Sequence, residues 1–190
     1  MPNNNTMDTV YQPAEDSFLI LEVMASYWKT ANRRPNLVLD MGTGSGILAI
    51  AAAKAGCSVT AVDINPEAII TAKANAKVAG VKITFVKSDL FKNVKGTFDL
   101  IVFNPPYVPT EPNEKLDMES AAWDGGKDGL SVTNEFLKHA KGFLKPGGRI
   151  LLLVSTIGDK EPKLPGFKTK VKKKESLFFE KLWVLELEPF

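Results

Sequence analysis

The sequence predicts an α/β protein of the Rossmann-like type, in which helices cover both faces of a mostly parallel sheet. Two observations favour this fold. Strand-like apolar runs alternate with helix-like segments along most of the 190 residues, a pattern typical of βαβ units. A glycine-rich turn at residues 42–46 also joins the first such run to a helix, as in many nucleotide-binding folds. The length and the 44% hydrophobic content predict one domain over residues 1–190, with 1–32 as an N-terminal helical extension.

The first predicted element is a helix over residues 13–29. Phe18, Leu21, Ala25 and Trp28 recur there at helical spacing. We therefore expect this helix to pack these four side chains against the sheet.

Alternating strands and helices then follow in order. The helix behind the second strand is the best defined, because Asn65 can cap it, Pro66 suits its first turn and Gly80 can end it. The run LKPGGR predicts a turn before a strand that begins near Arg149. The expected strands are NLVLDM, SVTAVDI, KITFVKS, FDLIVF and GRILLLVS, and the expected helices are GILAIAAAKAG, PEAIITAKANAKVAG and SVTNEFLKHAKGFL.

The end of the chain has a different pattern. FKTKVKKKES and LFFEKLWVLELE read as two strands with no helix between them, so they should pair antiparallel. The proline-bearing segment before them, residues 157–167, can hold at most a short helix. The lysines at 168–174, in the first of these two strands, predict a solvated hairpin rather than a surface for RNA.

Composition narrows the class of function. A formal net charge of +2 is far below the basic excess of most nucleic-acid-binding domains. Apolar runs are too short for a membrane span and the first residues lack a signal pattern, so we expect a cytoplasmic protein. The chain has one cysteine, Cys57, and one histidine, His139, so we expect no metal site. We expect Cys57 in the core and His139 in solvent.

Three carboxylates stand at the ends of successive predicted strands. Asp40 opens the glycine loop, Asp63 closes the second strand and Asp89 closes the third. The carboxyl ends of such strands line the crevice where open α/β sheets bind ligands. Asp40 would repel a pyrophosphate but attract a cationic ligand, while Asp63 stands where a ribose diol is usually held. The pattern therefore favours S-adenosylmethionine over a nicotinamide cofactor, with Asp89 and the backbone of Leu90 at the adenine edge.

The fourth strand ends in Asn104, Pro105, Pro106 and Tyr107. Proline donates no backbone hydrogen bond, so the strand must stop and carbonyl groups of this turn stay free for a ligand. Together with the side-chain oxygen of Asn104, they can grip both hydrogens of a planar NH2 group. Tyr107 can lie against a flat substrate. This predicts a direct methyl transfer to a planar nitrogen, with positioning supplying much of the rate.

These motifs resemble the NPPY-type class I methyltransferases. Within them, the chain is similar to the short archaeal and eukaryotic branch of HemK-like glutamine N5-methyltransferases, which modify translation release factors. The resemblance implies a seven-stranded sheet with an antiparallel last strand and a cofactor site around Ser17, Asp40, Gly42, Thr43, Gly44, Asp63, Ile64, Asp89, Leu90 and Asn104. The matching runs are VYQPAEDSFLILE, LDMGTGSG, VDINPEA, SDLF, FNPPYV and AAWDGGKDGL, in that order.

The resemblance also implies a partner. In the short branch a small zinc-binding activator subunit commonly adds a strand to the sheet edge, and residues 82–88 form a plausible edge strand here. We therefore expect a heterodimer that binds the cofactor poorly without its partner. Bacterial members carry a larger N-terminal domain than the single helix seen here, and relatives usually have a longer helix where this chain has 157–167. The glycines of 121–130 would permit a moving lid.

The leading function is thus methylation of the glutamine in a Gly-Gly-Gln loop of a release factor. N6-methylation of adenine in DNA or RNA is the main alternative, but it should require a base-capturing domain or a basic groove. Protein lysine methylation is a third possibility, although an ammonium must first lose a proton and does not need two carbonyls. An inactive cofactor-binding scaffold is disfavoured by the intact turn at Asn104, and an oxidoreductase by Asp40.

Overall fold

The structure is a computed structural model, and it describes residues 15–29, 35–106, 130–156, 164–177 and 180–190. The helices and strands of these ranges alternate as the sequence predicts. In chain order they are α1 (Glu15–Lys29), β1 (Leu37–Met41), α2 (Ile47–Lys54), β2 (Ser58–Asp63), α3 (Pro66–Val78), β3 (Thr84–Lys87), β4 (Phe98–Phe103), α4 (Ser131–Ala140), a 3₁₀ turn (Lys141–Phe143), β5 (Leu144–Thr156), β6 (Phe167–Ser176) and β7 (Lys181–Pro189).

The seven strands form one sheet in the order β3-β2-β1-β4-β5-β7-β6. Strands β1 to β5 pair in parallel, and β7 pairs antiparallel with both β5 and β6. The expected sheet with an antiparallel last strand is therefore confirmed, as is the position of β3 at one edge.

Apolar layers cover both faces of the sheet. Helices α1 and α2 pack on one face, where Val38, Leu100 and Leu151 are buried. Helix α4 packs on the other through Phe136 and Leu137. Because consecutive strand residues face opposite layers, the central strands are apolar throughout, which explains why their sequences read as continuous hydrophobic runs.

Several local predictions are confirmed. The side-chain oxygen of Asn65 accepts a hydrogen bond from the N–H of Glu67 at 2.9 Å and caps α3, and Gly80 follows the helix with a left-handed φ of 69°. Cys57 is buried, and His139 is exposed beside Glu135. None of the described helices is long and apolar enough to cross a membrane.

The predicted buried face of α1 is wrong. Phe18 is 53% exposed, Ala25 is exposed, and Leu21 and Trp28 are only partly buried. The helix is apolar on more than one side, so a second stripe with helical spacing competes with the predicted one. The stripe that the sheet buries consists of Leu19, Ile20, Val23, Met24 and Tyr27.

The predicted turn at LKPGGR is also wrong, because these residues belong to β5. Phe98 pairs with Leu144 and Leu100 pairs with Arg149, so residues 145–148 form a bulge opposite β4. Gly148 fits this bulge because a Cβ there would lie 2.9 Å from backbone oxygens of Lys145 and Phe98. Most of the proline-bearing segment, residues 157–163, and the candidate lid at 121–129 lie outside the described residues.

Candidate active site

The carboxyl ends of the four strands β1 to β4 lie together where these strands terminate, and we call this part of the sheet its carboxyl edge. Met41 pairs with Val62 and Phe103, and Asp63 pairs with Lys87. The glycine loop, the residues that follow β2 and β3, and the turn at Asn104 therefore all leave the sheet on the same side. The structure thus brings Asp40, Asp63, Asp89 and Asn104 to this edge.

Asp40 is the most buried carboxylate of this edge, with 1% of its surface exposed. Its Oδ2 accepts hydrogen bonds from the Thr43 hydroxyl at 2.6 Å and the Ala49 N–H at 3.1 Å. Its Oδ1 is buried and has no partner among the described residues. Burial raises the pKa of Asp40 to about 7 despite these two bonds, and the charge of Asp63 adds to the rise. A cationic group beside Oδ1 would relieve this penalty.

A pH-dependent stability follows from Asp40. Because its folded-state pKa lies above the ordinary 3.8, the stability that the neutral carboxyl contributes is present below pH 4 and is lost as the pH rises through about 7. We expect Asp40→Asn, which stays neutral, to gain stability over the unliganded wild type across this range, by at most about 4 kcal/mol. Thermal unfolding at pH 5 and pH 8 measures the change. Exposed Glu67→Gln is the control, and an Asp40→Asn difference that is the same at both pH values would contradict the expectation.

The glycine loop spans the ends of β2 and β4. Gly42, Gly44 and Gly46 all have left-handed φ angles, of 64°, 53° and 84°. The N–H of Gly44 donates to Asp63 Oδ2 at 2.9 Å, and the N–H of Thr43 donates to the Val62 carbonyl at 2.8 Å. A Cβ on Gly42 would lie 3.9 Å from the Asn104 carbonyl oxygen. The loop therefore contacts two of the elements that carry predicted site residues.

Gly46 also fixes how closely α2 approaches α3. A Cβ on Gly46 would lie 3.0 Å from the Cβ of Ala72, whereas nothing lies within 4 Å of a Cβ on Gly56, which has a similar φ of 89°. Both Gly→Ala variants carry the left-handed backbone penalty of about 1 kcal/mol. We expect Gly46→Ala to lose roughly 1–3 kcal/mol more than Gly56→Ala in chemical denaturation, because only the first overpacks the helix contact. Equal losses would show that the contact yields without strain.

Asp63 is held by the backbone on both carboxylate oxygens. Oδ2 accepts from Gly44 and Oδ1 accepts from the N–H of Asn65 at 2.9 Å. Burial raises the pKa of Asp63, and these N–H groups oppose the rise. Each oxygen keeps a second lone pair for a hydroxyl ligand. Ile64, the next residue, is 61% exposed and places an apolar side chain beside Asp63.

Asp89 follows β3 at this edge, and its carboxylate already has a charged partner. Its carboxylate is 47% exposed and pairs with the Lys92 ammonium at 2.6 Å. Leu90 has a φ of 44°, the one left-handed φ of a residue other than glycine in the described part of the chain. The N–H of Ser88 donates to the Asp63 carbonyl at 2.9 Å, so this turn is tied to the end of β2. A strained residue persists only where its surroundings impose it, and such residues cluster at binding sites.

Asn104 lies where β4 ends, and only one end of its side-chain amide has a hydrogen-bond partner among the described residues. Its Nδ2 donates to Asp16 Oδ2 at 2.9 Å, while its Oδ1 is buried with no partner among the described residues. Pro105 is buried and Pro106 partly buried, whereas Tyr107 lies outside the described residues. The site therefore presents one unused acceptor on the Asn104 side chain.

Sequence reasoning missed Asp16, although it predicted its neighbour Ser17. Both residues are buried at the start of α1, and the N–H of Ser17 donates to Asp16 Oδ1 at 2.6 Å. A signal was present: Asp16 continues the stripe of Ile20, Val23 and Tyr27 at helical spacing. An acid on an apolar face requires a buried partner, but the stripe was assigned to the wrong side of the helix.

The sheet topology and this edge define a class I methyltransferase domain. A ribosomal protein L11 methylase of Lactobacillus delbrueckii subsp. bulgaricus shares the fold with a TM-score of 0.62 at 23% identity, over 94% of this chain and 81% of that chain. A Thermus thermophilus 16S rRNA N2 G1207 methyltransferase, solved with AdoMet and guanosine, also has a TM-score of 0.62 at 23% identity, over 94% and 44%. At these identities the likeness shows the fold alone.

The chain belongs to the methyltransferase small domain family, whose profile matches residues 17–178. A putative protein N5-glutamine methyltransferase of Methanocaldococcus jannaschii is 43% identical over 183 residues, covering 93% of this chain and 90% of the relative. Methyltransferase HEMK2 of Mus musculus is 37% identical over 162 residues, covering 80% and 74%. A release factor glutamine methyltransferase of Deinococcus radiodurans is 42% identical over 123 residues, and the match covers 60% of this chain and 44% of that relative. The resemblance to HemK-like methyltransferases is confirmed.

Proposed function

We propose that the protein uses S-adenosylmethionine to methylate the N5 nitrogen of the glutamine in a Gly-Gly-Gln loop of a translation release factor. The observation that carries this proposal is the buried Oδ1 of Asn104 at the end of β4, which has no hydrogen-bond partner in the part of the chain that the structure describes. A buried acceptor without a partner is rare in a folded protein, and an incoming NH2 group would satisfy it. Relatives named as N5-glutamine and release factor glutamine methyltransferases support the same substrate class.

The residues at the carboxyl edge of the sheet fit the cofactor. When bound, S-adenosylmethionine supplies an electrophilic methyl group on a sulfonium. Asp40 Oδ1 offers an unused buried anion to the cationic methionine portion, and the doubly anchored carboxylate of Asp63 can accept from two ribose hydroxyls. Ile64 could cover the adenine ring, and the turn at Asp89 and Leu90 would lie at the edge of that ring. Ser17, Gly42, Thr43, Gly44 and Asn104 complete the proposed cofactor site.

The turn at residues 104–107 would hold the substrate. Asn104 Oδ1 accepts from one hydrogen of the glutamine NH2 group and a backbone carbonyl of the turn accepts from the other. Because both hydrogens are held, the nitrogen would be oriented toward the methyl group, and delocalisation of its lone pair into the amide π-system would be discouraged. Its lone pair would then be available to the methyl group that bound S-adenosylmethionine supplies, and the methylated nitrogen would release one proton to water. Pro105 and Pro106 would border the substrate, and Tyr107, which lies outside the described residues, remains a proposed contact for it.

Two other substrates are compatible with parts of the site. The exocyclic amine of adenine is also a planar NH2 group and would fit the same pair of acceptors. Lysine carries an ammonium, which has three hydrogens and no lone pair, so two acceptors would stabilise its unreactive form. The formal charge of +2 gives little general attraction to nucleic acid, and glutamine remains the proposed substrate.

We also propose a partner and a location. Strand β3 is an edge strand of four residues, Thr84–Lys87, and its outer side pairs with no other described strand. A small zinc-binding activator subunit that adds a strand at residues 82–88 would cover this edge and stabilise the turn after Asp63. A cytoplasmic location follows from a substrate that acts in translation.

Labelled S-adenosylmethionine tests the proposal directly. The protein, with and without any co-purifying subunit, is incubated with release factor, with release factor whose loop glutamine is replaced, and with DNA and RNA. Label should enter only the first substrate, and more rapidly when the subunit is present. Incorporation of label into release factor that lacks the loop glutamine would refute the proposal that this glutamine is the substrate. Equal rates and tight cofactor binding by the lone chain would remove the need for an activator.

A further inference from the structure

The buried carboxylate of Asp16 has no part in the proposed function so far. It lies in the first turn of α1 with 2% of its surface exposed. One oxygen accepts from the N–H of Ser17 and the other from Asn104 Nδ2, 88 residues away along the chain. A carboxylate buried in an apolar layer is costly, so the bond that Asp16 accepts from Asn104 should serve more than packing.

The hydrogen-bond rules fix what Asp16 does to Asn104. An ionised carboxylate only accepts, whereas an asparagine amide has one accepting end and one donating end. The donating end of Asn104 must therefore face Asp16, and the accepting end must face away from it. The opposite orientation would bring two oxygens together beside Asp16 and would point an NH2 group into the site.

We propose that Asp16 is the positioning residue of the active site, which sets the amide of Asn104 so that Oδ1 meets the substrate NH2 group. Asp16 touches neither substrate nor cofactor in this role. Its negative charge also polarises the Asn104 amide through the bond at 2.9 Å and makes Oδ1 a stronger acceptor. The inference rests on the proposed function, since it explains why an NH2 group rather than an acceptor would be bound.

Asp16→Asn gives a sharp test because asparagine has the same shape but only one accepting oxygen. The fixed N–H of Ser17 claims that oxygen, so the new NH2 group faces Asn104. Asn104 must then turn its own oxygen toward residue 16 and present Nδ2 to the substrate. We expect kcat to fall roughly a hundredfold, as when one preorganised hydrogen bond is lost, with the affinity for S-adenosylmethionine within threefold of wild type. Glu22→Gln, an exposed acid of the same helix, is the matched control and should leave kcat unchanged.

The double variant Asp16→Asn with Asn104→Asp separates positioning from general damage. The carboxylate at 104 can accept from the amide at 16 with one oxygen and offer the other to the substrate. We expect the double variant to be at least tenfold more active than either single variant, because Asn104→Asp alone places two carboxylates together. A double variant no better than the single ones, or an Asp16→Asn enzyme within threefold of the wild-type kcat, would overturn the proposal.

A measurement without substrate keeps this test independent of the proposed function. In wild type, one Asn104 side-chain NH2 proton should exchange with solvent at least tenfold more slowly than those of an exposed asparagine such as Asn134, by nuclear magnetic resonance. Protection at Asn104 with no methylation of the loop glutamine would reject the proposed function and retain the positioning role. Exchange of both protons at the rate of Asn134 would reject the positioning role itself.

Discussion

Asn104→Ala is expected to lower kcat by at least roughly a hundredfold while S-adenosylmethionine binds within a few fold of its wild-type affinity. The variant removes Oδ1, the unused acceptor that would orient the substrate nitrogen. Most of the cofactor contacts proposed above come from the glycine loop and the acids, which this change leaves in place. Single-turnover methylation of the substrate and calorimetric titration of the cofactor measure the two quantities separately.

Asn134→Ala is the matched control for this variant, because Asn134 is exposed on α4 and the substitution removes the same side-chain atoms. It should retain the wild-type kcat. Asn104→Ala also leaves Asp16 Oδ2 without its Asn104 partner, so thermal unfolding should accompany the kinetics and report a loss of about 1–3 kcal/mol. An unchanged kcat in a stable variant would refute the orienting role of Asn104.

The central strands were predictable from sequence because burial on both faces leaves an unambiguous signal. Runs such as FDLIVF have no polar alternation, and each is bounded by a turn or a helix start. The two errors arose where the local signal was ambiguous. Helix α1 is apolar on several sides, and only its packing partners decide that Ile20 rather than Phe18 is buried. The bulge at residues 145–148 has the composition of a turn, and only pairing with β4 reveals it as part of β5.

The site was predictable to the extent that strand ends determine it. Asp40, Asp63 and Asn104 were located because parallel strands bring their carboxyl ends to one edge. The contacts between elements could not be read in the same way. The bond from Asn104 to Asp16 joins residues 88 positions apart, and the Asp89 carboxylate pairs with the Lys92 ammonium. Sequence spacing records neither the rotation of α1 nor the direction of an exposed side chain.

Asp63→Ala is expected to weaken S-adenosylmethionine binding at least roughly a hundredfold, because two hydrogen bonds to a charged group are lost and each contributes about 1.5–3 kcal/mol. Both oxygens of Asp63 are held in place before any ligand arrives, so no side-chain entropy is lost when two hydroxyls bind. The variant also frees the N–H of Gly44, which loosens the loop that approaches the Asn104 carbonyl. Calorimetric titration of the protein with any co-purifying subunit measures the affinity.

Asp89→Ala should weaken the same binding less than tenfold, although both acids close parallel strands. The Asp89 carboxylate is 47% exposed and already paired with Lys92, so a ligand would have to compete with both water and an ammonium. Glu67→Ala, an exposed acid in the first turn of α3, controls for a general loss of negative charge near Asp63. If Asp89→Ala weakens binding as much as Asp63→Ala, the turn after β3 must release Lys92 when the cofactor binds. If neither weakens it, the ribose lies outside the crevice at the end of β2, and the assignment of Asp63 fails.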